Sequence, residues 1–194
     1  MSAAAIILAI DPGEGFAPTN YTCEVDGEPL LRGAVLSALE WDVDDRVVVL
    51  GPDAEQNAAL IADLDVTTVI DPEWDEGASS PLRVALDLLT RNLGLERVVI
   101  ARADQHGVSA EIVNRLLEVA TDTMADAVVP KYRYQRGWPI VVGSSLWQRM
   151  LGLEGDYDLL SLISMHAAAI EEVWFDRLAP TIIASNEDIP PHGR

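Results

Sequence analysis

The feature that most constrains this chain is its rhythm. Short apolar runs, each halted by Pro or Gly, alternate with amphipathic stretches of helical spacing. Ala3–Ile10 is apolar throughout and stops at Asp11-Pro12-Gly13, as a strand buried on both faces does. Pro29 suits the first position of a helix, and Leu30, Leu31, Ala34, Val35, Ala38 and Leu39 follow at helical spacing. Arg46–Leu50 predicts a second buried strand, Ala54–Leu64 a helix, and Thr67–Ile70 a third strand ended by Asp71-Pro72. Ser80 is placed to cap a helix running to about Leu93, and Arg97–Ala101 is a fourth strand. Ser109 caps the next helix, with Glu111 favourably in its first turn, and Ala127–Val129 is a fifth strand. Beyond it the rhythm changes. Trp138–Val142, Glu171–Phe175 and Thr181–Ala184 read as strands, Ser145–Leu151 and Asp158–Ala167 as helices.

Four βα units in succession require right-handed crossovers. They predict the α/β class: a Rossmann-like three-layer fold with a mostly parallel sheet and a small C-terminal mixed extension. The length of 194 residues suits one domain, expected over 1–187, with 188–194 as a tail. Ligands of such sheets sit off the C-terminal strand ends. Chemistry is therefore expected at Ile10–Asp26, Gly51–Asp53, Asp71–Ser80 and Arg102–Val108.

Charge narrows the partners. Thirty-two acidic residues against 13 basic ones give a net charge of −19, and Lys131 is the one lysine. Nucleic acid is excluded as a partner, because affinity for its backbone comes chiefly from Lys and Arg displacing counterions. An anionic membrane surface is disfavoured for the same reason. The apolar opening is too short for a span and lacks a basic flank, so a cytoplasmic location is expected. Cys23 stands alone in an acidic stretch, which excludes an intrachain disulfide and predicts an unreactive thiol.

At the strand ends, Gly13 and Gly15 would let backbone amides approach a phosphate, although the dinucleotide pattern GxGxxG is not met. Asp104 closes the fourth strand. It is a candidate Mg²⁺ ligand, since that ion takes one or two carboxylates and completes its shell with phosphate and water. Equally, Asp104 could pair with neighbouring Arg102. The segment Asp71–Arg83 offers Gly and Ser amides near a helix start to a base or a phosphate. It could as well be a plain connection with Trp74 folded down on apolar surface. Histidines 106, 166 and 192 are scattered, and Ser144-Ser145 has no nucleophile elbow.

In order along the chain, these residues resemble the MobA-like nucleotidyltransferases, the molybdenum-cofactor cytidylyl- and guanylyltransferases. The family's first loop, LAAGxGxRxGxxK followed by GxPLL, resembles Leu8-Ala9, Gly13 and Gly27-Glu28-Pro29-Leu30-Leu31. Its NPxWxxGxxSSLRxGL resembles Asp71–Leu86 at Pro72, Trp74, Gly77, Ser80, Leu82, Arg83 and Leu86. Its ADQP resembles Ala103-Asp104-Gln105-His106, and its P-x-Y and GHP resemble Pro130-Lys131-Tyr132 and Gly137-Trp138-Pro139. Gly155-Asp156 matches the GD before the penultimate helix.

The resemblance implies transfer of NMP from CTP or GTP to a phosphorylated small-molecule acceptor, with release of pyrophosphate and with Mg²⁺ as cofactor. It implies nucleotide binding by Leu8, Ala9, Gly13, Asp71, Gly77 and Ser80, metal ligation by Asp104 and Asn186, and an acceptor pocket at Tyr132 and Trp138. A partner enzyme in cofactor insertion would also fit.

The chain departs from the pattern where cations are needed. The family's loop Arg and Lys fall on Gly15 and Asn20, and no Lys or Arg occurs from Ile10 to Leu31. The late metal-binding Asp falls on Asn186, and Pro81 replaces a helix-start Ser. Losing one donor to the developing oxyanion costs about 10²–10³ in rate. Two readings follow: a transferase relying on Arg32, Arg102 or Lys131, or a catalytically inactive relative that binds a ligand or a protein partner.

Overall fold

A computed structural model describes residues 2–10, 21–77, 79–91, 94–153, 159–184 and 186–189. In chain order these form β1 (Ser2–Ala9), β2 (Glu24–Val25), β3 (Glu28–Pro29), α1 (Leu30–Leu39), β4 (Asp45–Leu50), α2 (Ala54–Ala59) and β5 (Thr67–Ile70). There follow α3 (Ser79–Leu89), β6 (Leu95–Arg102), β7 (Gln105–His106), α4 (Ala110–Thr123) and β8 (Ala127–Tyr132). The last are β9 (Gln135–Arg136), β10 (Ile140–Gly143), α5 (Trp147–Leu151), α6 (Leu159–His166), β11 (Ile170–Phe175) and β12 (Thr181–Ile182).

Among the described residues, the main sheet runs β11-β8-β10-β6-β1-β4-β5, with β9 beside β8. Strands β6, β1, β4 and β5 are mutually parallel, and β10 runs antiparallel between β6 and β8. The expected α/β layering is what folds. Alternate side chains of β1 explain it: Ala3, Ala5, Ile7 and Ala9 face a core shared with Val35 of α1 and Leu116 of α4. Ala4, Ile6 and Leu8 face a second core built with Leu86 of α3, Met150 of α5 and Ile163 of α6. Each fully buried Ile or Leu contributes about 1.5–3 kcal/mol, so both layers are held mainly by burial.

Connectivity places the crevice. From β1 the chain steps outward through β4 to β5, then returns past β1 to lay β6 on its other side. The order reverses between β1 and β6, and open α/β sheets bind ligands at the carboxyl ends of strands at such a point.

Several element ends differ from the sequence expectation. Helix α2 stops at Ala59 rather than Leu64, because the next residues tighten into i→i+3 turns and Arg32 takes the Leu60 carbonyl at 2.9 Å. Ser80 lies inside the first turn of α3, not at its cap. Ser109 is the N-cap of α4, yet its hydroxyl makes no capping bond. Strand β10 begins at Ile140, two residues after the expected start at Trp138. Strand β12 is only two residues long and leaves the main sheet to pair with β7.

Candidate functional site

At the end of β1 the backbone is already committed. The Leu8 carbonyl accepts from the Ala103 N–H at 2.9 Å, and the Ala9 carbonyl accepts from the Gly51 N–H at 3.1 Å. These bonds lock β1, β4 and β6 into one platform. Gly13, Gly15 and Asn20, together with Gly155-Asp156, lie outside the described residues.

Past β5, Asp71 is fully buried. One carboxylate oxygen accepts from the Glu73 N–H and from the Ser80 hydroxyl, each at 3.0 Å. The other has no partner among the described residues. Asp71 and Ser80 are thus brought together as a clasp across a connection that includes a 3₁₀ turn at Trp74–Glu76. Gly77 takes φ +127°, a backbone conformation that L side chains rarely adopt. Trp74 lies folded against Gly51, where a Cβ would meet it at 3.2 Å. That is the packing reading of this tryptophan.

Past β6, Asp104 is 3% exposed. Arg102 reaches over it as a fork, donating from Nε at 2.9 Å and from an Nη at 2.5 Å. Two residues apart at the strand end, both side chains turn into one ion pair. Burial lowers the Arg102 pKa, but the bonds to Asp104 outweigh it and leave the guanidinium above its ordinary value. The backbone ties the C-terminal segment here as well: the Ile183 N–H donates to the Asp104 carbonyl at 2.8 Å. This brings the 3₁₀ turn that opens at Asn186 close behind, while the Asn186 side chain lies outside the described residues.

The donor set decides how well a divalent cation fits. Both oxygens of Asp104 are engaged by a cation of the protein's own. No group of three or more His, Cys, Asp or Glu suited to a metal occurs among the described residues. Among the described residues, then, the Asp104 oxygens answer Arg102, and no cluster of metal ligands accompanies them.

Two other cations weighed from the sequence are held elsewhere. Arg32 pairs with Asp63 at 2.6 Å and Glu28 at 3.3 Å. Lys131 pairs with Glu172 at 2.9 Å and lies 4.5 Å over the exposed Trp174 ring at the sheet edge. Of the three, Arg102 stands at the end of β6 beside β1, where the strand order reverses. Its partnership with Asp104 was legible as one of two options from their i, i+2 spacing.

Tyr132 and Trp138 also come together. The Tyr132 hydroxyl donates to the Trp138 carbonyl at 2.9 Å, and its ring stacks on Phe175 at 5.6 Å. Burial pushes the phenol well above its usual pKa, while the positive charge of Arg177 pulls the other way. This tyrosine closes a hairpin. The Cys23 thiol is pushed up by burial, so the expected unreactive thiol gains a cause other than acidic neighbours.

A family model described as a MobA-like NTP transferase domain matches residues 5–171. A comparison with functionally curated proteins gave no match. Among solved structures, Rv0371c of Mycobacterium tuberculosis H37Rv in complex with manganese superposes with a TM-score of 0.81 at 20% identity, over 97% of this chain and 96% of that one. The Rv0371c homolog of Mycobacterium sp. strain JC1 gives 0.80 at 22% identity, over 96% and 92%. Molybdopterin-guanine dinucleotide biosynthesis protein A of Archaeoglobus fulgidus gives 0.70 at 16% identity, over 96% and 94%. At these identities the likeness is one of fold.

Proposed function

The chain belongs to the MobA-like NTP transferase family, and from that membership we propose that it is a nucleotide-binding protein of the molybdenum-cofactor type in which nucleotidyl transfer is lost. It takes CTP or GTP at the β1 and β5 strand ends, through Leu8, Ala9, Gly13, Asp71, Gly77 and Ser80. One domain over 1–187 carries this function, and 188–194 is a tail. Among the described residues no helix is long and apolar enough to cross a membrane, which accords with a cytoplasmic protein.

A single observation carries the reading. Asp104, the carboxylate that the family's pattern assigns to a metal, has both oxygens forked by Arg102. Transfer to a phosphorylated acceptor needs positive charge on the developing oxyanions. Here the first loop has no Lys or Arg, and the cation at the strand end is bound to a carboxylate. Binding survives such losses better than chemistry, because it does not depend on charge that develops only in the transition state.

A second reading has its own support. Rv0371c, alike in fold, was solved with manganese. In that reading Asp104 and Asn186 hold Mg²⁺, Tyr132 and Trp138 border the acceptor, and NMP is transferred with loss of pyrophosphate.

Titration calorimetry with CTP, GTP, ATP and UTP, with and without Mg²⁺, separates the two. The proposal expects CTP or GTP to bind with an affinity indifferent to Mg²⁺. Binding that requires Mg²⁺ and disappears in Asp104→Ala establishes the second reading instead. No binding of any of the four sinks both and turns attention to a partner enzyme.

A further inference from the structure

A cavity of about 480 Å³ opens between α1, the β2–β3 hairpin and the turn from β6 into α4. That volume is within the usual range of small-molecule sites. It lies across the sheet from Leu8, since Ile7 and Ala101 line it and both belong to the core beneath α1 and α4. Among the described residues, none of those proposed above for nucleotide, metal or acceptor lines it.

Its polar atoms set it apart. Five buried side-chain polar atoms have no partner among the described residues, and three of them sit on residues lining this cavity. They are Trp41 Nε1, Gln105 Oε1 and Ser109 Oγ, with Trp41 4% and Gln105 6% exposed. Native proteins leave few buried polar atoms unanswered, so three in one wall point to a ligand that answers them.

Two hydrogen bonds gather these residues. The Ser37 hydroxyl donates to the Val108 carbonyl at 2.5 Å, and the Asp42 N–H donates to the Asn114 side-chain oxygen at 2.9 Å. Trp41 lies between Ser37 and Asp42, and Ser109 between Val108 and Asn114. Both are thereby held at one junction of α1 with α4. Gln105 stands four residues before Ser109, and Gly107 turns the chain between them at φ +90°. The charged residues of the wall are answered within the protein: Asp26 by His106 at 3.1 Å, Glu28 by Arg32 at 3.3 Å, and Arg102 by Asp104. Arg177, the remaining charge, is exposed. What stays buried and unanswered is uncharged: an indole N–H, a carboxamide oxygen and a hydroxyl.

We propose that this cavity binds an uncharged small molecule bearing a carbonyl beside an N–H. The Trp41 indole N–H and the Ser109 hydroxyl take its carbonyl, and Gln105 Oε1 takes its N–H. Its apolar body rests against Leu30, Ala34 and Val108. A charged ligand would find no counter-charge at this buried end, and a hydrocarbon would leave all three atoms unanswered. This is a second site, and it does not rest on the nucleotide reading.

The test is a ¹H–¹⁵N correlation titration of the full chain, reading the indole N–H signals of its five tryptophans. Trp41→Phe and Trp147→Phe assign two of them. Trp147, whose indole is also unpartnered but does not line the cavity, is the internal control. The probes are benzamide, acetophenone, which lacks the N–H, and benzoate, which carries a charge. Benzamide is expected to move the Trp41 signal saturably and to leave the Trp147 signal in place. Acetophenone and benzoate should each bind about tenfold more weakly, from one unmet hydrogen bond or one unmatched charge. Gln105→Leu should abolish benzamide's advantage over acetophenone, and the wild-type series decides the matter if that variant does not fold. An unmoved Trp41 signal, equal movement at Trp147, or acetophenone or benzoate binding as tightly as benzamide overturns the proposal. CTP that moves the Trp41 signal and displaces benzamide also overturns it, because the cavity then belongs to the nucleotide. If no nucleotide binds while benzamide behaves as expected, the nucleotide reading falls and this one stands.

Discussion

Two buried aspartates stand just past parallel strand ends, and the chain treats them in opposite ways. Asp71 follows β5 and is answered by neutral donors, a backbone N–H and the Ser80 hydroxyl. Asp104 follows β6 and is answered by a full charge, Arg102. The first clasps a connection. The second neutralises a carboxylate at the crevice where the strand order reverses. A buried carboxylate needs an answer of some kind, and which answer it receives decides whether it remains available to a ligand.

Breaking the charged answer should cost most. Arg102→Ala strands Asp104 as an uncompensated buried charge, for an expected loss of about 3–5 kcal/mol in chemical denaturation. Adding Asp104→Asn should restore much of that loss, since partners in contact are not additive. A double variant as unstable as the single one would show that Arg102 matters for packing rather than for charge.

The neutral clasp should be weaker. Asp71→Ala removes the acceptor of two hydrogen bonds and is expected to cost about 1–3 kcal/mol. Ser80→Ala, which removes one of the two donors, should cost less. A loss for Asp71→Ala as large as for Arg102→Ala would erase the contrast between the two strand ends.

A third carboxylate sharpens the scale at its small end. Asp126 accepts from the Ser145 hydroxyl at 2.5 Å and from the N–H groups of Ala168 and Ala169 at 2.8 and 3.0 Å. The Ser145 hydroxyl, then the Ala169 N–H, hold its pKa below the ordinary value. With the folded pKa depressed, its stabilisation is fully present above the unfolded value of about 3.9. It is lost as pH falls through the folded value. Denaturation midpoints followed below pH 4 should therefore drop less steeply in Asp126→Asn than in the wild type. Identical slopes would remove Asp126 from the acid response.

The sheet was legible because Ala3–Ala9 of β1 and Val47–Leu50 of β4 are apolar without interruption, which two covered faces explain. Element ends were less so. Nothing in Ala54–Leu64 shows that a distant Arg32 takes the Leu60 carbonyl and stops the helix. At the site, position was readable and partnership was not. Asp104 was placed at its strand end, but whether it meets a metal or Arg102 depends on rotamers that spacing leaves open. Ser80 was read as a cap because its type suits one, whereas its hydroxyl serves a carboxylate nine residues back. The cavity beside α1 was missed altogether. Its lining residues are scattered from Ile7 to Arg177, and no local pattern joins them.

The central claim is that Arg102 holds the carboxylate that a metal would otherwise take. It is tested most directly by titrating Mn²⁺ against the wild type and Asp104→Asn, reading the free ion by its electron paramagnetic resonance signal. The account predicts the same free Mn²⁺ for both proteins, because any weak uptake comes from the acidic surface they share. One ion held by the wild type and released by Asp104→Asn would contradict it.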